Sequence, residues 1–307
     1  MKQSKGLFYV LGAGVFWGAT LGLYGRFMGA LGFTAMQTSA VRMLVSALVF
    51  MLYGLFLDKN IFKIVLKDCW MFVGSGIISV GAFCYFYFTA LEYAPLAVVS
   101  ILAYTSPVFI MLFSALLFKE RVTRTKILAM FLALCGCALV SGLMEGTGAV
   151  PVYGVITGLL AGLTYSLYSI FARYALNKYS TLTINLYTFA FAALATLPLG
   201  GTVKTMTMLT SGPVPLAVGI IGSLLSSAIP FFLYTKGMET LDTGKAGILA
   251  TTEPMVSAIV SVFVLKEHMS LWGALGIALV LSAIVLLSSK PKAAQEQTEA
   301  QECIGEA

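Results

Sequence analysis

The feature that most constrains this chain is a succession of long apolar stretches separated by short polar connections. A helix of about 17–25 mostly apolar residues crosses the hydrocarbon layer of a bilayer. Hydrophobic residues make up 59% of the 307 residues and charged residues only 10%, against about 45–50% and about 25% in soluble domains. The sequence therefore predicts an all-α membrane protein of ten transmembrane helices, at about residues 7–25, 34–57, 69–91, 95–118, 126–143, 153–174, 181–200, 214–235, 244–265 and 271–288.

The basic residues predict the orientation of these helices. If the N-terminus is cytoplasmic, the cytoplasmic segments hold 15 of the 19 Lys and Arg residues, the external segments hold 3, and Arg42 lies inside a span. Cytoplasmic loops of membrane proteins carry an excess of Lys and Arg. Both termini are therefore predicted to be cytoplasmic. The net charge of +6 is dispersed along the chain, so it indicates topology rather than a nucleic-acid partner.

A repeat divides the chain into two halves. The sequence Thr105-Ser106-Pro107, followed by Lys119-Glu120, recurs as Thr252-Glu253-Pro254, followed by Lys266-Glu267, at a constant offset of 147 residues. We expect a first five-helix repeat over 1–145, a second over 146–289, and a disordered cytoplasmic tail over 290–307. Because five is odd, the second repeat enters the membrane inverted. Inverted repeats characterise many secondary transporters.

The repeated stretches TSPVFIMLFSALLFKERVTRTKILAMFLALCGCALV and TEPMVSAIVSVFVLKEHMSLWGALGIALVLSAIVLL resemble the EamA family of the drug/metabolite transporter superfamily. The first-helix pattern GAGVFWGAT and the Arg in VRMLVSAL fit the same family. The resemblance covers nearly the whole chain except the tail. It implies a central cavity surrounded by helices of both repeats, a location in the cell inner membrane, and transport of small molecules. Export of amino acids or metabolites is the first expectation, and import of a small nutrient is the alternative.

Glu253 is the leading candidate for a functional residue because it lies near the middle of its span. A charged group at that depth costs about 2.5–3.5 kcal/mol on insertion scales, so such groups usually face a cavity or a partner. The alternative is a protonated or hydrogen-bonded side chain that only packs. Pro107 and Pro254 remove backbone hydrogen bonds, which predicts kinked helices beside a cavity. Their polar neighbours are then further cavity candidates: Tyr104, Thr105, Ser106, Thr251 and Thr252.

Several other residues allow two interpretations each. Arg42 is interpreted as a structural ion pair or interface anchor in preference to a substrate contact. Glu92 and Glu239 occupy equivalent positions in the two halves, where they either gate the cavity or simply end their helices. Aromatic residues in the spans either pack or line the cavity, where they would bind an aromatic or cationic substrate. The aromatic residues concerned are Trp17, Tyr24, Phe83, Tyr85, Tyr87, Tyr165 and Tyr168.

The sequence offers little support for other functions. Its single histidine, its five cysteines without a CxxC pair, and the absence of HExxH and phosphate-loop motifs predict no metal site and no cofactor. An intramembrane enzyme and a non-transporting scaffold therefore stay remote alternatives. The expected partners are a small-molecule substrate and the lipid bilayer. For an importer, a quaternary ammonium compound held by aromatic side chains is the expected substrate. The substrate, the direction, the coupling ion and the oligomeric state are left open.

Overall fold

The structure is a computed structural model that describes residues 2–141, 144, 151–264, 266, 268 and 270–288. The predicted tail at 290–307 and Glu267 lie outside these residues. Within them the regular elements are all helical, which confirms the predicted all-α class. Nine helices among the described residues are long and apolar enough to cross a membrane. The helix in the fifth predicted position, Arg124–Val140, has 17 residues and is shorter than these nine.

In the described residues, the first half of the chain contains five long helices and two short 3-10 helices, Lys59–Phe62 and Leu66–Asp68. The long helices are α1 (Lys2–Ala30), α2 (Ala35–Phe56), α3 (69–93), α4 (96–118) and α5 (Arg124–Val140). Two of them are irregular. Helix α3 consists of Cys69–Val73, a π-helical segment Gly74–Gly81 and Ala82–Tyr93, and α4 consists of two separate pieces, Leu96–Ala103 and Ser106–Phe118.

The second half contains five further helices and a short one, Thr202–Leu209. The five are α6 (Val152–Leu176), α7 (Thr181–Gly200), α8 (Pro213–Met238), α9 (Thr243–Phe263) and α10 (Leu271–Ser288). The irregularities of the first half recur in equivalent helices. Helix α8 contains a π-helical segment, Leu224–Ala228, and α9 is broken into Thr243–Leu249 and Thr252–Phe263. The two halves therefore share their local distortions as well as their sequence motif.

The broken helices explain the placement of the two prolines. Pro107 lies in the first turn of Ser106–Phe118, and Pro254 is the third residue of Thr252–Phe263. The N–H groups of a first helical turn have no intrahelical acceptor, so a proline there removes no helical hydrogen bond. Each proline therefore starts a new helix after an interruption, rather than kinking a continuous one.

The breaks in α4 and α9 are packed against small residues of a neighbouring helix. A Cβ atom on Gly162 of α6 would lie 2.6 Å from the carbonyl oxygen of Leu102, at the end of the first piece of α4. In the same way, a Cβ atom on Gly18 of α1 would collide with the carbonyl oxygen of Glu253, in the second piece of α9. Glycine lets two helix backbones approach this closely. The first helix of each half therefore carries a glycine that allows close packing against the broken helix of the other half.

The two ends of the helix bundle differ in composition. At the basic end, where α1 begins, the connections between α2 and α3, α4 and α5, α6 and α7, and α8 and α9 come together, and they hold most of the lysines and arginines. At the opposite end, which we call the open end, α1 joins α2, α3 joins α4, and α7 joins Thr202–Leu209. A capping box of Thr34 and Gln37 starts α2 there.

Candidate functional site

A cavity of about 560 Å³ lies between the helices of the two halves. Small-molecule sites in proteins are typically about 300–1,000 Å³. The lining extends from Ala35 and Leu96, exposed residues at the open end, to Trp17 and Phe231, which are buried near the middle of the bundle. Among the described residues, the cavity lining therefore runs from the open end to these buried side chains.

Aromatic side chains form the floor of this cavity. The rings of Trp17 and Phe231 meet edge to face with centroids 5.1 Å apart, and those of Tyr168 and Phe231 do so at 4.9 Å. The hydroxyl of Tyr168 is held by hydrogen bonds with Thr235 (2.5 Å) and to Asn185 Oδ1 (3.4 Å). Below the floor lies a second pocket of about 20 Å³. The aromatic floor thus separates the cavity from the basic end.

Contacts between the two halves close the basic end. The Glu120 carboxylate accepts hydrogen bonds from the backbone N–H groups of Thr243 (2.8 Å) and Gly244 (3.1 Å), at the start of α9. Beside it, Lys126 Nζ lies 3.0 Å from Asp242 Oδ2. Glu120 and Lys126 belong to the first half and their partners to the second. A charged acceptor at a helix start satisfies N–H groups that have no intrahelical partner, so this cluster fastens α9 to the α4–α5 connection.

A second contact between the halves lies at the same end. Lys178 Nζ donates to both oxygens of Asp68, at 2.8 and 3.1 Å, and the Tyr179 hydroxyl donates to Asp68 at 2.7 Å. The hydrogen bond to Asp68 raises the pKa of Lys178. This pair joins the start of α3 to the connection between α6 and α7. With the Glu120 cluster, it makes the basic end the closed end of the molecule.

Two side chains of opposite charge face the cavity. Arg42 reaches it from α2 and Glu253 from α9. Glu253 lies in the first turn of Thr252–Phe263, where the helix dipole favours a negative charge. The Nε atom of Arg42 is buried and has no hydrogen-bond partner among the described residues. In that part of the chain, Arg42 also makes no ion pair, so the structural ion pair expected from the sequence is not formed there.

The other residues expected from the sequence lie in different places. Trp17, Tyr104 and Tyr165 line the main cavity together with Glu253. The hydroxyl groups of the three threonines instead donate hydrogen bonds to backbone carbonyls three residues earlier. These threonines are Thr105, Thr251 and Thr252. Ser106 lines the small pocket below the floor. Tyr85 is 48% exposed and is not among the residues that line either space.

The two symmetry-related glutamates also lie apart from the cavity. Glu92 is exposed near the end of α3. Glu239 pairs with Lys236 at 2.8 Å and accepts a hydrogen bond from Thr181 at 2.7 Å. Both of these contacts lie within the second half and next to its own helix ends. The structure therefore brings neither glutamate to the cavity lining.

Several lining residues were not singled out as candidates in the sequence. Two of them are Ser100 and Ser257. Tyr24 bonds with Ser223 Oγ at 3.3 Å, and Tyr87 with Ser100 Oγ at 3.5 Å. Glu253 and Ser257 are four residues apart and share one helix face, a spacing that could have identified Ser257. Residues on α3 gave no such signal, because aromatic residues follow one another there from Tyr85 to Phe88.

The sequence matches the EamA-like transporter family over residues 4–142 and 152–289. The chain belongs to the EamA-like transporter family. It is 28% identical over 230 residues to a protein of Ancylobacter novellus named aromatic amino acid exporter YddG, covering 71% of this chain and 75% of that protein. It is 24% identical over 287 residues to the uncharacterized inner membrane transporter YicL of Salmonella typhimurium, covering 92% and 95% of the two chains.

A solved crystal structure has a similar fold, with a TM-score of 0.77 and 22% sequence identity over 92% of this chain and 96% of the other. Together with the nine apolar helices, the family match makes this chain a multi-pass membrane protein. The family predicted from the repeated Pro and Lys-Glu motifs is thereby confirmed.

Proposed function

We propose that this EamA-like protein is a secondary transporter that exports amino acids or related small metabolites across the inner membrane by alternating access. The observation that carries the proposal is a substrate-sized cavity, open at one end and closed at the other by contacts between the two halves. A transporter must expose one site to each side in turn, and exchange of roles between two inverted repeats supplies the second conformation. The names of the relatives support transport, and one of them is named an aromatic amino acid exporter.

The topology belongs to the same proposal. We propose that Arg124–Val140 is the tenth span, since its 17 residues reach the lower end of the range of about 17–25 residues found in transmembrane helices. The basic end then faces the cytoplasm, and the cavity is open to the outside. Single cysteines at Thr123 and Ser211, in a protein whose five native cysteines are replaced, test this. A membrane-impermeant maleimide added to intact cells should label Ser211→Cys alone, and the reverse pattern would contradict the orientation.

Counterflow in proteoliposomes tests the transport activity. Vesicles loaded with an unlabelled amino acid should accumulate the same radiolabelled amino acid against its gradient, and vesicles without protein should not. A panel of apolar, aromatic, acidic and basic amino acids covers the proposed class. Absence of counterflow with the whole panel would count against amino-acid transport.

Import of a quaternary ammonium compound is the second candidate, because aromatic rings and a carboxylate surround the same cavity and aromatic faces bind such cations. Counterflow of radiolabelled choline separates the two candidates. Choline counterflow without amino-acid counterflow would favour the importer. We also propose that the protein carries out no covalent chemistry, and unchanged recovery of the transported solute tests that.

A further inference from the structure

Arg42 and Glu253 place opposite charges on two different walls of the cavity. Arg42 belongs to α2 in the first half, and Glu253 belongs to α9 in the second. In the described residues no ion pair joins them, so their charged groups are more than 4.0 Å apart. Two opposite charges that line one cavity without pairing form an arrangement that a ligand carrying both charges can bridge.

Among the described residues, neither charged group has a hydrogen-bond partner. The buried Nε of Arg42 has no hydrogen-bond partner among the described residues, and the hydrogen bonds found in that part of the chain include none to the Glu253 carboxylate. A charge that is removed from water without a partner is costly. A guanidinium group and a carboxylate form strong, often bidentate hydrogen bonds. The unused donors of Arg42 therefore favour a ligand carboxylate, and the free oxygens of Glu253 favour a ligand cation.

The wall beside the charged groups is aromatic. The ring of Phe83 lies 5.0 Å from that of Tyr165 and 5.3 Å from that of Tyr87, and Tyr104 lines the same cavity. Such a wall accommodates an apolar or aromatic side chain. A ligand with a cation alone would leave Arg42 without a partner, and one with a carboxylate alone would leave Glu253 without one.

We propose that Arg42 and Glu253 bind the two poles of a zwitterionic substrate, with the guanidinium on its carboxylate, Glu253 on its ammonium group, and its apolar side chain against the aromatic wall. This inference rests on the proposed function, because it assigns the residues that select the substrate in the transport cavity. It makes both charged residues determinants of specificity, and it requires the two halves of the chain to meet around one ligand.

Three probes of similar shape test this assignment: L-phenylalanine, 2-phenylethylamine, which lacks the carboxylate, and 3-phenylpropanoate, which lacks the ammonium group. Competition against radiolabelled L-phenylalanine is measured on the purified wild-type protein. Because a hydrogen bond to a charged group contributes about 1.5–3 kcal/mol, each truncated probe should bind about 10- to 100-fold more weakly than L-phenylalanine. Equal binding of either truncated probe, or no binding of L-phenylalanine, would overturn the proposal.

The variants assign each pole to its residue. Arg42→Gln should bind L-phenylalanine no more tightly than 2-phenylethylamine, and Glu253→Gln should bind it no more tightly than 3-phenylpropanoate. Retained binding of the favoured truncated probe shows that each variant is folded, and Arg42→Lys should keep the wild-type order of the three probes. Arg124→Gln and Glu92→Gln change exposed residues of the same charge, so they should bind as the wild type does.

The outcomes separate this inference from the proposed function. Amino-acid counterflow together with an unchanged order of the three probes in Arg42→Gln and Glu253→Gln would overturn the assignment of the poles and leave the transport activity standing. Absence of counterflow with the whole panel, with specific binding of L-phenylalanine retained, would count against transport while supporting the assignment.

Discussion

The close approach of α1 to α9 at Gly18 makes a quantitative prediction. A Cβ atom at this position would collide with the carbonyl oxygen of Glu253, and it would lie 2.7 Å from Val256 Cβ and 2.9 Å from Ser257 N. These three atoms belong to the backbone or are the Cβ of a β-branched residue. None of them is the flexible end of a side chain that could move away. Gly18→Ala therefore requires α1 and α9 to separate.

The expected cost follows from two opposing effects. Overpacking a well-packed interface costs about 1–3 kcal/mol, and exchange of glycine for alanine in a helix returns about 0.5–1 kcal/mol. Gly18→Ala should therefore be destabilised by about 1 kcal/mol. Gly22, one turn further along α1, is the matched control because a Cβ atom there meets nothing within 4 Å. Gly22→Ala should be as stable as the wild type or slightly more stable.

Thermal unfolding of the purified protein in detergent measures this difference. Gly18→Ala should unfold several degrees below Gly22→Ala, which would place α1 against the second piece of α9 as described. If the two alanine variants unfold at the same temperature, α1 does not pack as closely against the Glu253 segment as described.

Three further predictions concern the closed end and the wall of the cavity. Glu120→Gln weakens the charged cap at the start of α9, which contributes about 1.5–3 kcal/mol when intact. This substitution should increase the labelling of cysteines placed at the closed end, and unchanged labelling would refute the closing role of Glu120. The hydrogen bond to Asp68 raises the pKa of Lys178. The contribution of Lys178 to stability is therefore present below about pH 10.5 and is lost as the pH rises through the raised pKa. The difference in unfolding temperature between wild type and Lys178→Gln should therefore be constant from neutral pH to about pH 10 and should shrink above it, and a difference that grows there would contradict the assignment. Tyr104→Ala should reduce counterflow, whereas Tyr85→Ala, on the outside of the cavity wall, should leave it unchanged; equal losses would contradict the lining described.

The sequence predicted the all-α class and the positions of the nine helices that are long and apolar enough to cross a membrane, because the apolar character of a span requires no knowledge of its partner helices. It also indicated that Glu253 faces a cavity, because a carboxylate in the middle of an apolar span usually faces a cavity or a partner. The identical offset of the Pro and Lys-Glu motifs predicted a repeat, and similar distortions occur in corresponding helices of the two halves.

The rest depended on which face of each helix points inward, which the sequence does not determine in a membrane protein. Both faces of α3 are apolar and aromatic, so Tyr85 was a candidate while its neighbour Tyr87 lines the cavity. The hydroxyls of Thr251 and Thr252 could bond a substrate or their own helix, and the interruption of α9 directs them to its carbonyls. Glu120 could not be distinguished from an ordinary turn residue, because its partners are backbone N–H groups 123 and 124 residues away.

The most direct test of the alternating-access account is a pair of distance measurements by double electron–electron resonance. One spin-label pair, at Val122 and Thr240, spans the closed basic end, and the other, at Ser211 and Leu96, spans the open end. Addition of a transported amino acid should lengthen the first distance and shorten the second in the same protein molecules. If both distances stay fixed while solute crosses the membrane, the two halves do not exchange roles, and the central claim is wrong.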